Sequence, residues 1–217
     1  MRLRLRLAAV PALALASVLT GCFLQPHRAL LHPPQREPPA PAVYTVTFTT
    51  TQGPFAIQVH RAWAPRGADR FYDLARHGFY TGCAFFRVVP RFVVQWGLSP
   101  DPRISAAWNH ANLRDDPVRQ SNTRGMVTFA MGGPNSRTTQ VYINLGDNSR
   151  LDAMGFAPFG RVISGMAVVG RFYSGYGEGA PRGHGPSQHL IQAQGQAYLR
   201  NNFPRLDRIL ATHVSRG

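Results

Sequence analysis

Phe85-Phe86-Arg87-Val88-Val89-Pro90-Arg91-Phe92-Val93-Val94-Gln95-Trp96-Gly97 holds two apolar runs hinged at Pro90-Arg91. Runs this short, rich in β-branched and aromatic residues and bounded by proline and glycine, read as two strands joined by a tight turn. Toward the N-terminus, Tyr44–Thr49 and Phe55–His60 alternate large and polar residues around Thr51-Gln52-Gly53-Pro54, the pattern of a β-hairpin. Between that hairpin and the quoted stretch, Ala68, Phe71, Leu74 and Ala75 share one helical face. Pro65 suits the first turn and Gly78 the stop, so a helix is expected from about Pro65 to His77. Toward the C-terminus the pattern predicts a long loop over Leu98–Arg124, then strands at Met126–Met131, Gln140–Asn144 and Phe156–Val162. A second helix is expected over Gly165–Tyr173, then a glycine-rich loop over Gly175–Gly185, a short helix near Ala193–Asn201 and a last strand near Leu206–Val214. Several short strands with two main helices fit a closed antiparallel barrel with helices over its ends, and they fit an open α+β sheet equally well.

The chain of 217 residues carries a formal net charge of +14 and no lysine, so its basic side chains are all arginine. A basic balance suits nucleic acid, an anionic membrane or an acidic polymer. The N-terminus separates these. Arg2, Arg4 and Arg6 precede the apolar run Leu7–Leu19, which is too short for a comfortable membrane span and ends in small residues. Leu19-Thr20-Gly21-Cys22 resembles the bacterial lipobox, which implies a leader over residues 1–21 removed before an acylated Cys22. Export on a lipid anchor places the chain on the extracytoplasmic, periplasm-facing side of a bacterial envelope membrane and argues against nucleic acid as a partner. Residues 22–42 follow, with prolines at 26, 33, 34, 38, 39 and 41, and read as an extended stand-off with little to pack. The folded body is expected over residues 43–217. Cys83 then has no intramolecular partner and reads as a buried, inert thiol.

Three ordered stretches carry a family likeness: Phe85–Gly97 as quoted; Phe129-Ala130-Met131-Gly132-Gly133-Pro134-Asn135 running on through Thr138–Asn144; and Leu151-Asp152 followed by Phe156–Val162. Together they resemble the cyclophilins over nearly all of Tyr44–Tyr173. The resemblance implies a mainly β fold, the eight-stranded closed antiparallel barrel with two capping helices, and a substrate groove on its outer wall. It implies peptidyl-prolyl cis-trans isomerase activity. By the same likeness Arg87, Phe92 and Gln95 fall on the catalytic positions. Val93, Ala130, Met131, Tyr142, Leu151 and Phe156 fall on substrate-binding positions. The likeness also has departures. Val93 stands for a methionine, Tyr142 for the usual pocket phenylalanine, Arg150 for a rim tryptophan and Phe156 for a rim histidine.

The implied chemistry needs no metal or cofactor. Rotating an Xaa-Pro bond means crossing a barrier of about 18–20 kcal/mol by breaking amide resonance. A permanently charged donor near the prolyl nitrogen and a dry pocket for the ring favour the twisted state. His184 and His189 lie in a Gly/Pro loop without cysteine partners, and Gly175–Gly179 follows a helix instead of opening one after a strand. The expected partners are proline-containing polypeptides and, through the lipid, the membrane; the chain is expected to act as a monomer. The alternative is a tethered module that binds proline peptides with little turnover. One geometric tension stands out. Phe92 and Gln95 are three apart, which strict alternation puts on opposite faces, so a bulge is expected near Val93-Val94.

Overall fold

The computed structural model describes residues 29–179 and 181–216; the leader, Cys22 and His27 lie outside the described residues. Alternation builds the sheet. In β1 (Val43–Thr50) Tyr44, Val46 and Phe48 are fully buried, and β2 (Gly53–His60) pairs with it antiparallel, setting Phe48 opposite Phe55 with their rings stacked at 4.8 Å. β3 (Arg87–Val89) and β4 (Val93–Trp96) are the hairpin at the centre of the quoted stretch. β5 (Met126–Phe129), β6 (Val141–Asn144), β7 (Pro158–Ser164) and β8 (Ile209–Arg216) complete one sheet of eight strands. Its order is β3-β4-β6-β5-β7-β2-β1-β8, antiparallel throughout.

The sheet curls without closing. β3 and β8 end the order and share no ladder. Among the described residues the gap between them is bridged at Ala84–Arg208, with backbone bonds from Gly82 and Phe85 to Ile209 and Asp207. β3 starts only at Arg87, so the residues that meet β8 lie upstream of it. The fold is therefore an open half-barrel where a closed one was expected. Its interior is nonetheless solid. Trp96, fully buried, stands edge-on to Phe85 at 5.6 Å and to Phe48 at 5.8 Å, and Phe85 stacks on Phe172 at 4.0 Å.

The helices follow the sequence unevenly. α1 (Pro65–Arg76) forms where expected, with Pro65 in the first turn and Phe71 and Leu74 in the core, and it packs across β7 and β8. α2 (Pro102–Trp108) interrupts the expected loop; Asp101 caps it by accepting from the Arg103 amide at 2.9 Å, and Pro102 pre-sets the first turn. The second expected cap shrinks to α3 (Met166–Val169), because Gly170 ends it and Phe172 turns into the core. α4 (Gln188–Asn202) begins earlier than expected, at the Ser187 cap, and packs on α2. It breaks at Gly195 (φ 58°), whose amide neighbour Gln196 donates to the Pro100 carbonyl at 3.0 Å. A Cβ at Gly195 would lie 2.2 Å from that carbonyl oxygen, so only glycine fits.

Residues 29–42 do not stand off from the body. Leu30 and Ala40 are buried, the Trp108 indole donates to the Leu30 carbonyl at 2.8 Å, and the Ala40 amide donates to Asp69 at 2.8 Å. Glu37 pairs with Arg70, whose guanidinium also donates to the carbonyls of Ala111 (2.8 Å) and Thr138 (2.9 Å) and lies 4.9 Å from the Trp108 ring. Prolines remove backbone donors, and Leu30, Glu37 and Ala40 find polar partners on α1 and α2. The stretch is a strap across α1. Trp108→Phe, which deletes the bond to Leu30, is expected to cost about 1–2 kcal/mol. Urea unfolding would read that loss, and limited proteolysis would find residues 29–42 cut sooner than in the parent.

Candidate active site

The register carries one row of side chains across the outer face of the sheet. Arg87 on β3 lies opposite Gln95 on β4, Gln95 opposite Tyr142 on β6, and Tyr142 opposite Thr128 on β5. Period-two alternation sends their neighbours Val88, Val94, Trp96, Val141, Ile143, Val127 and Phe129 into the interior. Val93, two residues from Gln95, joins the outer row and packs with Tyr142 and Leu151 in a small separate cluster. Phe92, Ala130 and Phe156 pack around it, the Phe156 ring edge-on to Tyr142 at 6.0 Å. Met131 lies outside that cluster and lines a neighbouring hollow of about 200 Å³ with Phe156, Pro134 and Met154.

The tension over Phe92 is resolved without a bulge. The β3–β4 and β4–β6 registers run unshifted, and Phe92 precedes the strand. The hairpin turns at Arg91, which adopts φ 62°, and the Phe92 amide donates to the Val89 carbonyl at 3.0 Å. Freed from the strand's alternation, the Phe92 ring comes round to the Gln95 side. Asn148 and Leu145 hold it there by donating to the Phe92 carbonyl at 2.9 and 2.8 Å.

Behind the apolar cluster sits a hub that sequence reasoning missed. Asn122, fully buried, accepts at Oδ1 from Thr128 (2.9 Å) and the Tyr142 hydroxyl (3.1 Å). Its Nδ2 donates to Asp152 (2.7 Å) and to the Phe156 carbonyl (2.8 Å). Burial pushes the Tyr142 phenol well above its usual range, so the hydroxyl remains a donor. Asp152 shows the opposite outcome: burial pushes it up, but bonds from Ser121 and Asn122 leave its carboxyl below the usual value. Asn122 falls in a stretch that reads as loop, and the sequence carries no pattern that marks it.

At the open end of the cluster, Arg87 lies with its guanidinium carbon 5.3 Å from the Phe92 ring centroid. It donates to Gln95 at 3.0 Å, and Gln95 in turn donates to Gln140 at 2.8 Å. Its other edge meets Glu178 with two bonds of 2.7 Å. On the rim, Arg150 stands 5.1 Å from the same Phe92 ring. Arg87, Phe92 and Gln95 are thus gathered around one apolar cluster, with Gln140 and Glu178 as partners the sequence did not announce.

A family model described as cyclophilin type peptidyl-prolyl cis-trans isomerase/CLD matches residues 45–188. The chain belongs to the cyclophilin family. Its match runs past Tyr173, where the likeness read from the sequence ends, into the glycine-rich loop. The cyclophilin is 34% identical over 130 residues to the peptidyl-prolyl cis-trans isomerase of Acinetobacter baylyi, spanning 57% of this chain and 69% of that one. It is 31% identical over 129 residues to peptidyl-prolyl cis-trans isomerase-like 1 of Emericella nidulans, spanning 58% of this chain and 79% of that one. The solved cyclophilin type isomerase of Cryptosporidium parvum superposes with a TM-score of 0.59 at 16% identity, covering 81% of this chain and 99% of that one, a likeness of fold. The enzyme is a peptidyl-prolyl cis-trans isomerase.

Cys83, His184 and His189 are the other reactive side chains that the sequence singled out in the cyclophilin. Cys83 is wholly buried in the main core, where burial pushes its thiol up, as an inert structural cysteine should be. His184 and His189 are exposed. Among the described residues no group of three or more His, Cys, Asp and Glu side chains could hold a metal ion. In Tyr142→Phe the ring persists and Asn122 keeps Thr128 as a donor, so stability should fall by about 1 kcal/mol. Isomerisation of a short peptide by the variant should stay within about threefold of the parent, read by exchange NMR.

Proposed function

We propose that this isomerase acts on Xaa-Pro bonds of exported or envelope proteins and assists their folding, tethered through an acylated Cys22 on the extracytoplasmic face of a bacterial membrane. The observation that carries the site assignment is the convergence of Arg87, Phe92 and Gln95 on one apolar cluster of the outer face. The proline ring enters between Phe92, Val93, Tyr142, Leu151 and Phe156. Ala130 leaves room on the wall, and the backbone at Met131 meets the residue before proline. Arg87 donates to the prolyl nitrogen as its lone pair localises, and Gln95 holds the substrate backbone. Because the guanidinium is charged at every relevant pH, it favours the twisted state over either planar isomer without any proton transfer. The Cryptosporidium parvum relative was also solved in the presence of the dipeptide Ala-Pro, which supports the choice of ligand.

The tether rests on the sequence alone: the arginine-headed apolar run and Leu19-Thr20-Gly21-Cys22. Among the described residues no helix is long and apolar enough to cross a membrane.

Exchange NMR on a short Ala-Pro peptide tests the catalytic assignment, using the full-length protein in detergent beside Arg87→Ala. Loss of one positioned donor is expected to slow isomerisation about 100-fold or more. A folded Arg87→Ala variant with parental rates would refute the assignment. Peptide binding without exchange by the parent would point to the tethered binding module instead. For the tether, intact-mass analysis of the membrane fraction should find a chain beginning at Cys22 and carrying acyl mass. A chain that begins elsewhere, or lacks that mass, sinks the anchor.

A further inference from the structure

Glu178 lies in the glycine-rich loop, 91 residues along the chain from Arg87, yet its carboxylate reaches the Arg87 guanidinium. One oxygen accepts from Arg87 Nε and the other from Nη2, each at 2.7 Å, while Gln95 takes one proton of Nη1 at 3.0 Å. A guanidinium has five N–H donors, so one proton each remains on Nη1 and Nη2. The pair is only partly open to water, with the arginine side chain 20% exposed and the carboxylate side chain 31%. Hydrogen bonding to Arg87 holds the Glu178 carboxyl below its usual value.

The loop is built to hold that carboxylate in place. The Glu178 carbonyl accepts from the Gly185 amide at 2.8 Å, and Gly179 bridges to Gly185. A Cβ on Gly183 would come within 2.3 Å of the same carbonyl, so the turn closes only over glycine. On the other side, Tyr176 stands edge-on to Tyr173 at 4.9 Å and to Phe203 at 5.0 Å, tying the loop to a second small core that includes Phe86 and Leu98. An exposed ion pair formed by chance would not come with a loop, an aromatic clasp and a core behind it.

We propose that Glu178 is a positioning residue for isomerisation. It fixes the plane of the Arg87 guanidinium against Phe92, so that the two uncommitted protons serve the prolyl nitrogen. It also screens that cation from carboxylates that flank proline in a substrate. The proposal rests on Arg87 being the catalytic donor. A bidentate carboxylate is a strong and directional partner for a guanidinium. Holding a catalytic group in one orientation acts on the barrier more than on binding.

Exchange NMR on the full-length protein tests this with two peptides, one neutral around its proline and one with glutamate beside it. Glu178→Ala, and the isosteric Glu178→Gln in case the first does not fold, are compared with Arg87→Ala. For the neutral peptide, Glu178→Ala should lower kcat about tenfold with KM within about twofold; Glu178→Gln, which keeps one acceptor, should fall between. For the acidic peptide the freed guanidinium should lower KM about threefold. In the parent, kcat should fall as pH drops through the lowered pKa of Glu178, since protonation removes the second acceptor. That acid limb should vanish in Glu178→Ala, which a merely structural role would not predict. The Arg87 Nε–H resonance should exchange faster with water in both Glu178 variants. Folded Glu178 variants with unchanged or raised kcat, beside an inactive Arg87→Ala, overturn this proposal and leave the role of Arg87 standing. An active Arg87→Ala overturns both.

Discussion

The row Arg87–Gln95–Tyr142–Thr128 exists because four strands share an unslipped register, and the rest of the site hangs on that constraint. A slip of one residue in β4 would carry Gln95 into the interior and turn Val94 and Trp96 outward. The interior resists such a slip. Trp96 meets Phe48, Phe55, Tyr80 and Phe85, and no other β4 side chain has the size to take its place. The core therefore stabilises the fold and, through alternation, aims the groove. Burial of an indole fixes where an amide stands on the opposite face.

Much of this was legible in the sequence for the same reason. Alternation in Tyr44–Thr49 and Phe55–His60, the helical face of Ala68, Phe71, Leu74 and Ala75, and the hinge at Pro90-Arg91 are local patterns, and each element formed close to its expected bounds. Where the reading failed, the deciding contact was distant. The strap holds because Trp108, Asp69 and Arg70 meet its backbone and Glu37, and a proline-rich stretch carries no mark of such partners. The Gly165–Tyr173 helix stops short because Phe172 is claimed by Phe85, and the half-barrel stays open because β3 is only three residues long. The Asp101-Pro102 start of α2 was the exception: a local signal for a helix inside a stretch that otherwise reads as loop.

The site shows the same division. Arg87, Phe92, Gln95, Val93, Tyr142, Leu151 and Phe156 were nameable because a family likeness ties them together, and the structure packs them side by side on one face of the sheet. Their supports were not nameable. Asn122, Asn148, Gln140 and Glu178 act through hydrogen bonds from separate loops and a strand margin, with no spacing rule among them. Residues 84–86 show how the two layers meet. Phe85 points into the main core while Ala84 and Phe86 face the second one, so the chain beyond Phe172 packs on the outer side of the segment that leads into β3. That packing brings the glycine-rich loop beside Arg87.

A limit on energy explains why so many parts are needed. A millionfold acceleration means lowering the barrier by about 8 kcal/mol. One hydrogen bond to a charged group contributes about 1.5–3 kcal/mol net. Arg87 alone falls well short. On the proposed assignment the balance comes from interactions that strengthen as the bond twists: a ring gripped by Phe92, Val93 and Tyr142, a backbone held by Gln95, and a guanidinium already oriented before substrate arrives. Orientation is the cheapest of these, because its entropy cost is met during folding and not at the moment of reaction. A guanidinium free to sample many rotamers would spend its interaction on ordering itself. One clamped on two edges keeps it for the transition state, and in the proposed mechanism the clamps are Gln95 and Glu178, which both hydrogen-bond Arg87.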